Sequence, residues 1–162
     1  MSQKKLIIFD LDGTLVNSQA LRENILASEP LFDNVLEMLH ELNKRPEFLL
    51  AIATGKSMDG TKRTLQAHKI IDYFSSLQTP DNNFSKPNPE MIYSAISVAD
   101  VAKENTIMIG DTILDIRMAK SAKVKSIAVG WGYQSKQDLL QAGATSYVEQ
   151  LGDLINTIDR HL

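Results

Sequence analysis

Short apolar runs alternate along the chain with longer stretches in which apolar residues recur at helical spacing. The runs are continuously apolar, which is typical of strands buried on both faces of a sheet. The four clearest runs are residues 6–9, 48–53, 106–109 and 125–129. A weaker strand is predicted near residues 73–77, and a short last strand at 146–148.

Three stretches between or after these runs carry the apolar stripe of an amphipathic helix. The stripes consist of Val35, Leu39 and Leu42, of Ile92, Ala95, Ile96 and Ala99, and of Leu151, Leu154, Ile155, Ile158 and Leu162. Buried strands that alternate with helices predict an α/β fold with a mostly parallel sheet covered on both faces. Ligands of such sheets bind beyond the carboxyl ends of the strands, so we expect the chemistry there.

Composition narrows the function further. The 162 residues fit a single domain over 1–162, and 17 Lys and Arg against 20 Asp and Glu give a net charge of −3. A basic face for nucleic acid is therefore not expected. The absence of cysteine excludes a disulfide framework, a thiolate zinc site and a cysteine nucleophile. The three histidines form no zinc pattern, so a metal here would be a hard cation held by carboxylates.

The amino-terminal apolar run is too short to be a targeting signal. It follows Lys4 and Lys5 and is interrupted by Asp10 and Asp12. No stretch approaches the roughly 18 apolar residues of a membrane span. We therefore expect a cytoplasmic protein without membrane contact.

Chemically versatile residues follow three of the predicted strands. They are the segment Asp10-Leu11-Asp12-Gly13-Thr14, the pair Thr54-Gly55, and Gly110-Asp111-Thr112 with Asp115 one helical turn later. Lys86 stands in a loop between the second and third of these segments. Each alone has an ordinary explanation, as a turn, a helix cap or a solvated lysine. Their combination after successive strands favours one shared site.

Phosphoryl transfer needs this combination of residue types. Asp10, Asp12 and Asp111 can supply the oxygens that hold Mg²⁺. The cation and Lys86 would keep Asp10 ionised as a nucleophile and offset its repulsion from a phosphate. Asp12 can protonate the leaving oxygen and then deprotonate a water. The hydroxyl of Thr54 and backbone N–H groups would hold the remaining phosphate oxygens.

The sequence resembles the haloacid dehalogenase superfamily, a group that includes Mg²⁺-dependent aspartyl-phosphate phosphatases. The motifs that carry the resemblance are DLDGT at 10–14, Thr54-Gly55, Lys86-Pro87 and GDTILD at 110–115, and they span about two thirds of the chain. A weaker similarity to the phosphoglycolate-phosphatase-like branch continues through residues 128–133 and 142–144. The resemblance implies a Rossmann-like three-layer sandwich with strand order 5-4-1-2-3.

The resemblance also implies a role for each matching residue. Asp10 would be nucleophile and metal ligand, and Asp12 the acid/base that binds the metal through its backbone carbonyl. Asp111 would ligate the metal, and Asp115 would anchor Lys86 or a metal-bound water. Phosphate would be bound by Leu11, Thr54, Gly55 and Lys86. An aspartate at position 12 is typical of phosphatases and phosphomutases, not of dehalogenases.

The spacing of the motifs leaves no room for the cap domain of most relatives. Only 44 positions separate Asp10 from Thr54, and 32 separate Thr54 from Lys86. Residues 17–30 would form a vestigial cap or flap. An open site favours hydrolysis over mutase chemistry, because a mutase must retain its intermediate. Relatives without a cap either act on large substrates or are covered by a neighbouring subunit, so a homo-oligomer is one expectation.

Several further residues have two interpretations each. Trp131 and Tyr133 would line the substrate mouth or pack against a neighbouring helix or subunit. Arg22 and Lys56 would bind an anionic substrate or be solvated. Residues 53–57 imitate a nucleotide-binding loop, but that motif needs a glycine where Leu50 stands.

Two functions of different classes remain. The first is a Mg²⁺-dependent phosphatase that works through an aspartyl-phosphate on Asp10. The second is a non-catalytic phosphate- or partner-binding module that has lost turnover. A receiver-like phosphoacceptor is disfavoured, because receivers place an acidic pair before the acceptor aspartate.

Overall fold

Six strands form one parallel sheet in the computed structural model, which describes residues 3–20 and 29–162. The strands are β1 (Lys5–Phe9), β2 (Phe48–Ala53), β3 (Phe74–Gln78), β4 (Thr106–Gly110), β5 (Lys125–Val129) and β6 (Ser146–Val148). Their spatial order is β3-β2-β1-β4-β5-β6. All six predicted strands are present, and their ends lie within a residue or two of the expected positions.

The order extends the expected arrangement by one strand. The predicted order 5-4-1-2-3 is intact within the sheet, and β6 adds to it beyond β5, where Val148 pairs with Val129. The expected order was incomplete because it covered five strands. With β2 on one side and β4 on the other, β1 lies in the middle of the sheet. The residue that follows β1 is therefore surrounded by the ends of its neighbours.

Helices cover both faces of the sheet. They are α1 (Val35–Asn43), α2 (Met58–Ala67), α3 (Glu90–Ala99), α4 (Ile113–Ala122), α5 (Lys136–Gln141) and α6 (Leu154–His161). Short 3₁₀ turns stand at Ile71–Tyr73, Lys103–Asn105 and Leu151–Asp153. The three apolar stripes of the sequence correspond to α1, α3 and the region of α6. No helix in the two described ranges is long and apolar enough to cross a membrane.

Two large apolar cores flank the sheet, as a three-layer sandwich requires. Side chains of β1 alternate between them: Ile7 and Phe9 join one core, and Leu6 and Ile8 join the other. The first core includes apolar residues of α1, α2 and α6, and the second includes those of α3 and α4. Burial on both faces explains why the strand runs are continuously apolar.

The chain segments at the two ends of residues 17–30 lie side by side. We call this junction, formed by residues 15–17 and 30–32, the neck. Asn17 N donates to the carbonyl of Pro30 at 2.8 Å, and Phe32 N donates to that of Leu15 at 3.0 Å. Val16 and Leu31 form an antiparallel bridge between them. The described residues between Asp10 and Thr54 contain no cap domain. The predicted flap at 17–30, together with Arg22, falls mostly outside the described residues.

Candidate active site

The predicted site residues meet at the carboxyl edge of the sheet. Asp10 directly follows β1, Thr54 follows β2 and Asp111 follows β4. Asp10 N donates to the carbonyl of Ile109 at 2.9 Å, which keeps the chain beside β4 for one residue beyond β1. Because the strands are parallel and adjacent, their ends place these side chains around one centre.

Lys86 links two buried carboxylates of this centre. Its Nζ lies 2.9 Å from Asp10 Oδ1 and 2.6 Å from Asp115 Oδ1, and all three side chains are buried. The peptide bond between Lys86 and Pro87 is cis. An ammonium enclosed by two carboxylates has partners for its charge, as a buried charge requires. Of the two partners expected for Asp115, the structure shows Lys86.

The start of α4 fixes Asp115. Thr112 is the N-cap residue of this helix, and its N and Oγ1 donate to Asp115 Oδ2 at 3.1 and 2.9 Å. Asp115 N in turn donates to Thr112 Oγ1 at 3.4 Å, and the reciprocal backbone-to-side-chain bonds form a capping box, which satisfies backbone groups at the helix start that would otherwise lack partners. One carboxylate oxygen of Asp115 is thus committed to the helix and the other to Lys86.

Asp111 is held by two donors and two glycines. Thr14 Oγ1 donates to its Oδ1 at 3.3 Å, and Tyr133 N donates to its Oδ2 at 3.0 Å. A Cβ on Gly132 would lie 2.2 Å from Asp111 Cβ, and one on Gly13 would lie 2.1 Å from Asp111 Oδ2. Gly13 also has a φ of +85°, a conformation that side chains disfavour. The backbone thus approaches this carboxylate more closely than any side chain would allow.

We expect Gly132→Ala to displace Asp111. The added Cβ clashes with the base of the Asp111 side chain, which backbone atoms anchor and which cannot swing away cheaply. Overpacking of this kind costs about 1–3 kcal/mol in the free energy of unfolding. Denaturant titration would measure that loss, and calorimetry with Mg²⁺ would show a weaker binding constant. Gly152→Ala is the matched control, since a Cβ there has nothing within 4 Å. Equal behaviour of the two variants would contradict the expectation.

Three carboxylates of the centre fit a divalent cation. Asp10, Asp111 and Asp115 each offer an oxygen, and these atoms lie within 4.8 Å of one another. All three residues are buried, and carboxylate oxygens are the ligands that Mg²⁺ prefers in proteins. The hydrogen bonds to Asp111 pre-orient it, as partners of metal ligands generally do. Carboxylate oxygens for a hard cation are thus present. The third carboxylate of this cluster is Asp115, whose oxygens already have Lys86 and Thr112 as partners, and not Asp12 as the sequence analysis expected.

The electrostatics of the centre favour such a cation. Burial raises the pKa of Asp10 well above its ordinary value, the charge of Asp115 raises it further, and Lys86 opposes the rise. Burial likewise raises the pKa of Asp111. Burial would lower the pKa of Lys86, but the charges of Asp10 and Asp115 outweigh it and raise that pKa. The lysine stays charged, and three carboxylates facing one ammonium leave an excess of negative charge.

A second ion-pair cluster lies beside this centre. Lys56 Nζ is 3.3 Å from Asp12 Oδ1 and 2.6 Å from Glu29 Oε2. Burial raises the pKa of Asp12, Lys56 lowers it and Glu29 raises it. Lys56 is thus paired, not solvated as one interpretation of the sequence had it. Sequence reasoning missed Glu29, because no motif includes it.

The groups expected to bind phosphate lie at the same edge of the sheet, and they differ in the hydrogen bonds that they already make. Leu11 N donates to Asp10 Oδ1 at 2.8 Å, so this N–H points at the carboxylate beside it. Thr54 is buried, and its Oγ1 accepts from Lys56 N at 3.1 Å, which leaves its hydroxyl proton for another acceptor. Gly55 is exposed, and a Cβ there would have nothing within 4 Å.

The two aromatic residues after β5 differ in environment. The indole N–H of Trp131 donates to the carbonyl of Thr14 at 2.9 Å, and its ring packs against the first core. This is the packing role that the sequence left open. Tyr133 is 41% exposed, and its hydroxyl contacts that of Ser18. Of the two side chains, that of Tyr133 is the more exposed.

Comparisons with known proteins agree with this geometry. A family model described as "Haloacid dehalogenase-like hydrolase" matches residues 27–129. The "Probable phosphatase IndB" of Dickeya dadantii (strain 3937) is 33% identical over 137 residues, which are 83% of this chain and 59% of that protein. The "Pyrophosphatase PpaX" of Bacillus mycoides (strain KBAB4) is 29% identical over 131 residues, which are 80% of this chain and 60% of that protein.

A solved structure supports the fold over the whole chain. The crystal structure of a predicted phosphoglycolate phosphatase from Haemophilus somnus 129PT superposes with a TM-score of 0.83 at 22% identity, covering 97% of this chain and 99% of that one. The chain itself spans about three fifths of the length of the curated relatives named above. With its motifs in order at the edge of this sheet, the chain belongs to the haloacid dehalogenase-like hydrolase family.

Proposed function

We propose that this protein is a Mg²⁺-dependent phosphatase that hydrolyses phosphomonoesters through an aspartyl-phosphate on Asp10. One observation carries the proposal: Lys86 Nζ lies between Asp10 and Asp115, within 2.9 Å of both, at the edge of the sheet where Asp111 also stands. A carboxylate held by a lysine and beside metal-binding oxygens is an activated nucleophile for phosphorus. The names of the relatives, a phosphatase and a pyrophosphatase, agree with it.

The reaction divides into two displacements at phosphorus. In the first, a carboxylate oxygen of Asp10 forms a bond to phosphorus, and the bond from phosphorus to the leaving oxygen breaks with its electron pair. Asp12 gives that oxygen a proton. In the second, a water gives its proton to Asp12 and attacks phosphorus, so that the bond to Asp10 breaks and inorganic phosphate leaves.

The remaining groups bind the phosphoryl oxygens and neutralise charge. Thr54 would donate its hydroxyl, and Gly55 and Leu11 their N–H groups, the latter after turning from Asp10. Lys86 would bind an oxygen, and together with Mg²⁺ it would oppose the rise in the pKa of Asp10 that burial causes, so that Asp10 is ionised. Bound Mg²⁺, held by Asp10, Asp111 and the backbone carbonyl of Asp12, would offset the negative charge of the phosphate.

Release of phosphate from an aryl phosphate tests the proposal. We expect turnover with Mg²⁺ and a loss of at least about 100-fold after chelation, since the metal supplies several kcal/mol of charge stabilisation. Readdition of Mg²⁺ should restore the rate. Inorganic pyrophosphate is a second substrate to test, because a relative is named for it.

A second measurement, beryllofluoride trapping, separates the phosphatase from a binding module. Beryllofluoride mimics a phosphoryl group on an aspartate, so its trapping at Asp10 reports a competent nucleophile independently of any leaving group. Turnover of neither substrate, together with no trapping in folded protein, would contradict the phosphatase and favour the non-catalytic module.

A further inference from the structure

Lys56 is the one cation that contacts Asp12 among the described residues. Its side chain is 18% exposed, whereas that of Asp12 is 35% exposed. A half-exposed carboxylate at a chain turn has several accessible rotamers, and a proton donor must be held in one of them to act. The 3.3 Å contact with Lys56 Nζ holds Asp12 Oδ1 beside the loop between β2 and α2.

Lys56 is itself firmly placed. Its backbone N donates to Thr54 Oγ1 at 3.1 Å, and its ammonium contacts Glu29 Oε2 at 2.6 Å. Glu29 is in turn anchored, because its carbonyl lies 2.6 Å from His68 Nε2, just beyond the end of α2. Because both the backbone N and the ammonium of Lys56 have partners, its side chain is held in one position.

The cluster is poorly suited to bind an anionic substrate group directly. Two carboxylates, Asp12 and Glu29, already neutralise one ammonium, and the side chain of Glu29 is only 19% exposed. A further anion would have to displace one of them. Orientation of Asp12 is the role that leaves these contacts in place.

We propose that Lys56 is a positioning residue for Asp12, with Glu29 fixing Lys56, and that this cluster aims the proton donor at the leaving oxygen. The inference rests on the proposed function, in which Asp12 is the acid. It assigns Lys56 two tasks at one site, since its N–H also orients the hydroxyl of Thr54.

The inference predicts a dependence on the leaving group. An alkoxide is a poor leaving group and needs the proton from Asp12, whereas nitrophenolate departs without it. The ratio kcat/KM reports only the steps up to departure of the leaving group, so hydrolysis of the intermediate does not affect it. Misorientation of Asp12 should therefore reduce kcat/KM for an alkyl phosphate and leave it nearly unchanged for nitrophenyl phosphate.

The test compares Lys56→Met with the wild type on both esters. We expect kcat/KM to fall at least about tenfold for the alkyl phosphate and less than about threefold for nitrophenyl phosphate, the pattern that Asp12→Asn should show more strongly. Lys56→Arg, which keeps the charge, should recover part of the loss. Lys62→Met removes an exposed lysine of α2 and is the matched control.

Two further readouts exclude a merely structural effect. Mg²⁺ affinity by calorimetry and beryllofluoride trapping at Asp10 should both stay within about threefold of the wild type, since neither requires Asp12 to be aimed. If the wild type is active, equal losses of kcat/KM on the two esters in Lys56→Met, or loss of trapping in this variant, would overturn the role of Lys56. The proposed function would not be affected. Absence of wild-type turnover on both esters, together with no beryllofluoride trapping in the folded wild type, would contradict the proposed function and this inference together.

Discussion

Asp10→Asn should lower the turnover of a phosphate ester by at least about 10³-fold, because it removes the attacking group of the proposed mechanism. Asparagine has nearly the same shape, and its amide can still accept hydrogen bonds from Leu11 N and Lys86 Nζ, which now reach Asp10 Oδ1 at 2.8 and 2.9 Å. The fold should therefore persist while the chemistry disappears. An amide oxygen is a far weaker nucleophile than a carboxylate.

The measurement is initial phosphate release at saturating Mg²⁺, beside circular dichroism and beryllofluoride trapping of both proteins. Trapping should be lost in the variant. Asp72→Asn is the matched control, because Asp72 is exposed in the turn before β3, at the opposite edge of the sheet. Activity of Asp10→Asn within tenfold of the wild type would show that another group attacks phosphorus.

Of the single variants proposed above and below, Lys86→Met should lose the most free energy of unfolding. Methionine can fill the space of the lysine stem, but it leaves Asp10 and Asp115 facing each other, both buried and without their shared cation. Breaking a buried ion pair by removing one partner costs about 3–5 kcal/mol in the free energy of unfolding. Denaturant unfolding of the metal-free protein would measure the loss, and Mg²⁺ should recover part of it by binding the native state.

A double variant identifies the cause. Addition of Asp10→Asn to Lys86→Met removes one of the two uncompensated carboxylates and should restore about 1 kcal/mol or more, since the two positions are in contact and do not act additively. Lys62→Met, at an exposed lysine, should stay within about 0.5 kcal/mol of the wild type. A loss below about 1 kcal/mol for Lys86→Met would mean that this lysine is not the counterion of the centre.

Most of the fold was accessible from the sequence because burial on both faces makes a strand continuously apolar. The runs of β1, β2, β4 and β5 have polar residues only at their amino-terminal ends, so most of their length was clear from the sequence. β3 and β6 were weaker because β3 has exposed or half-buried positions and β6 has only three residues. The place of β6 beside β5 could not be predicted from a local pattern, because the pairing of strands depends on residues that are far apart in the sequence.

The site was predictable as far as its residues follow strands. Parallel strands bring their ends together, so Asp10, Thr54 and Asp111 had to converge. Glu29 was not accessible, because its contact with Lys56 spans 27 positions and no motif marks it. The role of Gly132 was not predictable either. A glycine after a strand indicates a turn, but it does not indicate that the backbone packs against the side chain of Asp111.

Trp131 shows why amphipathic side chains resist prediction. An indole can bury its ring and satisfy its N–H on a backbone carbonyl, or present the same ring to a ligand. The acceptor of its N–H here, the carbonyl of Thr14, is 117 positions away in the sequence. Only the tertiary structure decides between the two roles.

The neck at the two ends of residues 17–30 has a consequence for the insertion of additional sequence. Its hydrogen bonds, from Asn17 to Pro30 and from Phe32 to Leu15, already bring the two ends of that segment side by side. Extra sequence placed between them would meet a closed junction, and the entropy of closing a longer loop rises only logarithmically with its length. An insertion at this junction would thus leave the strand ends that carry Asp10 and Asp111 unchanged, so the junction is a suitable place to add a further domain.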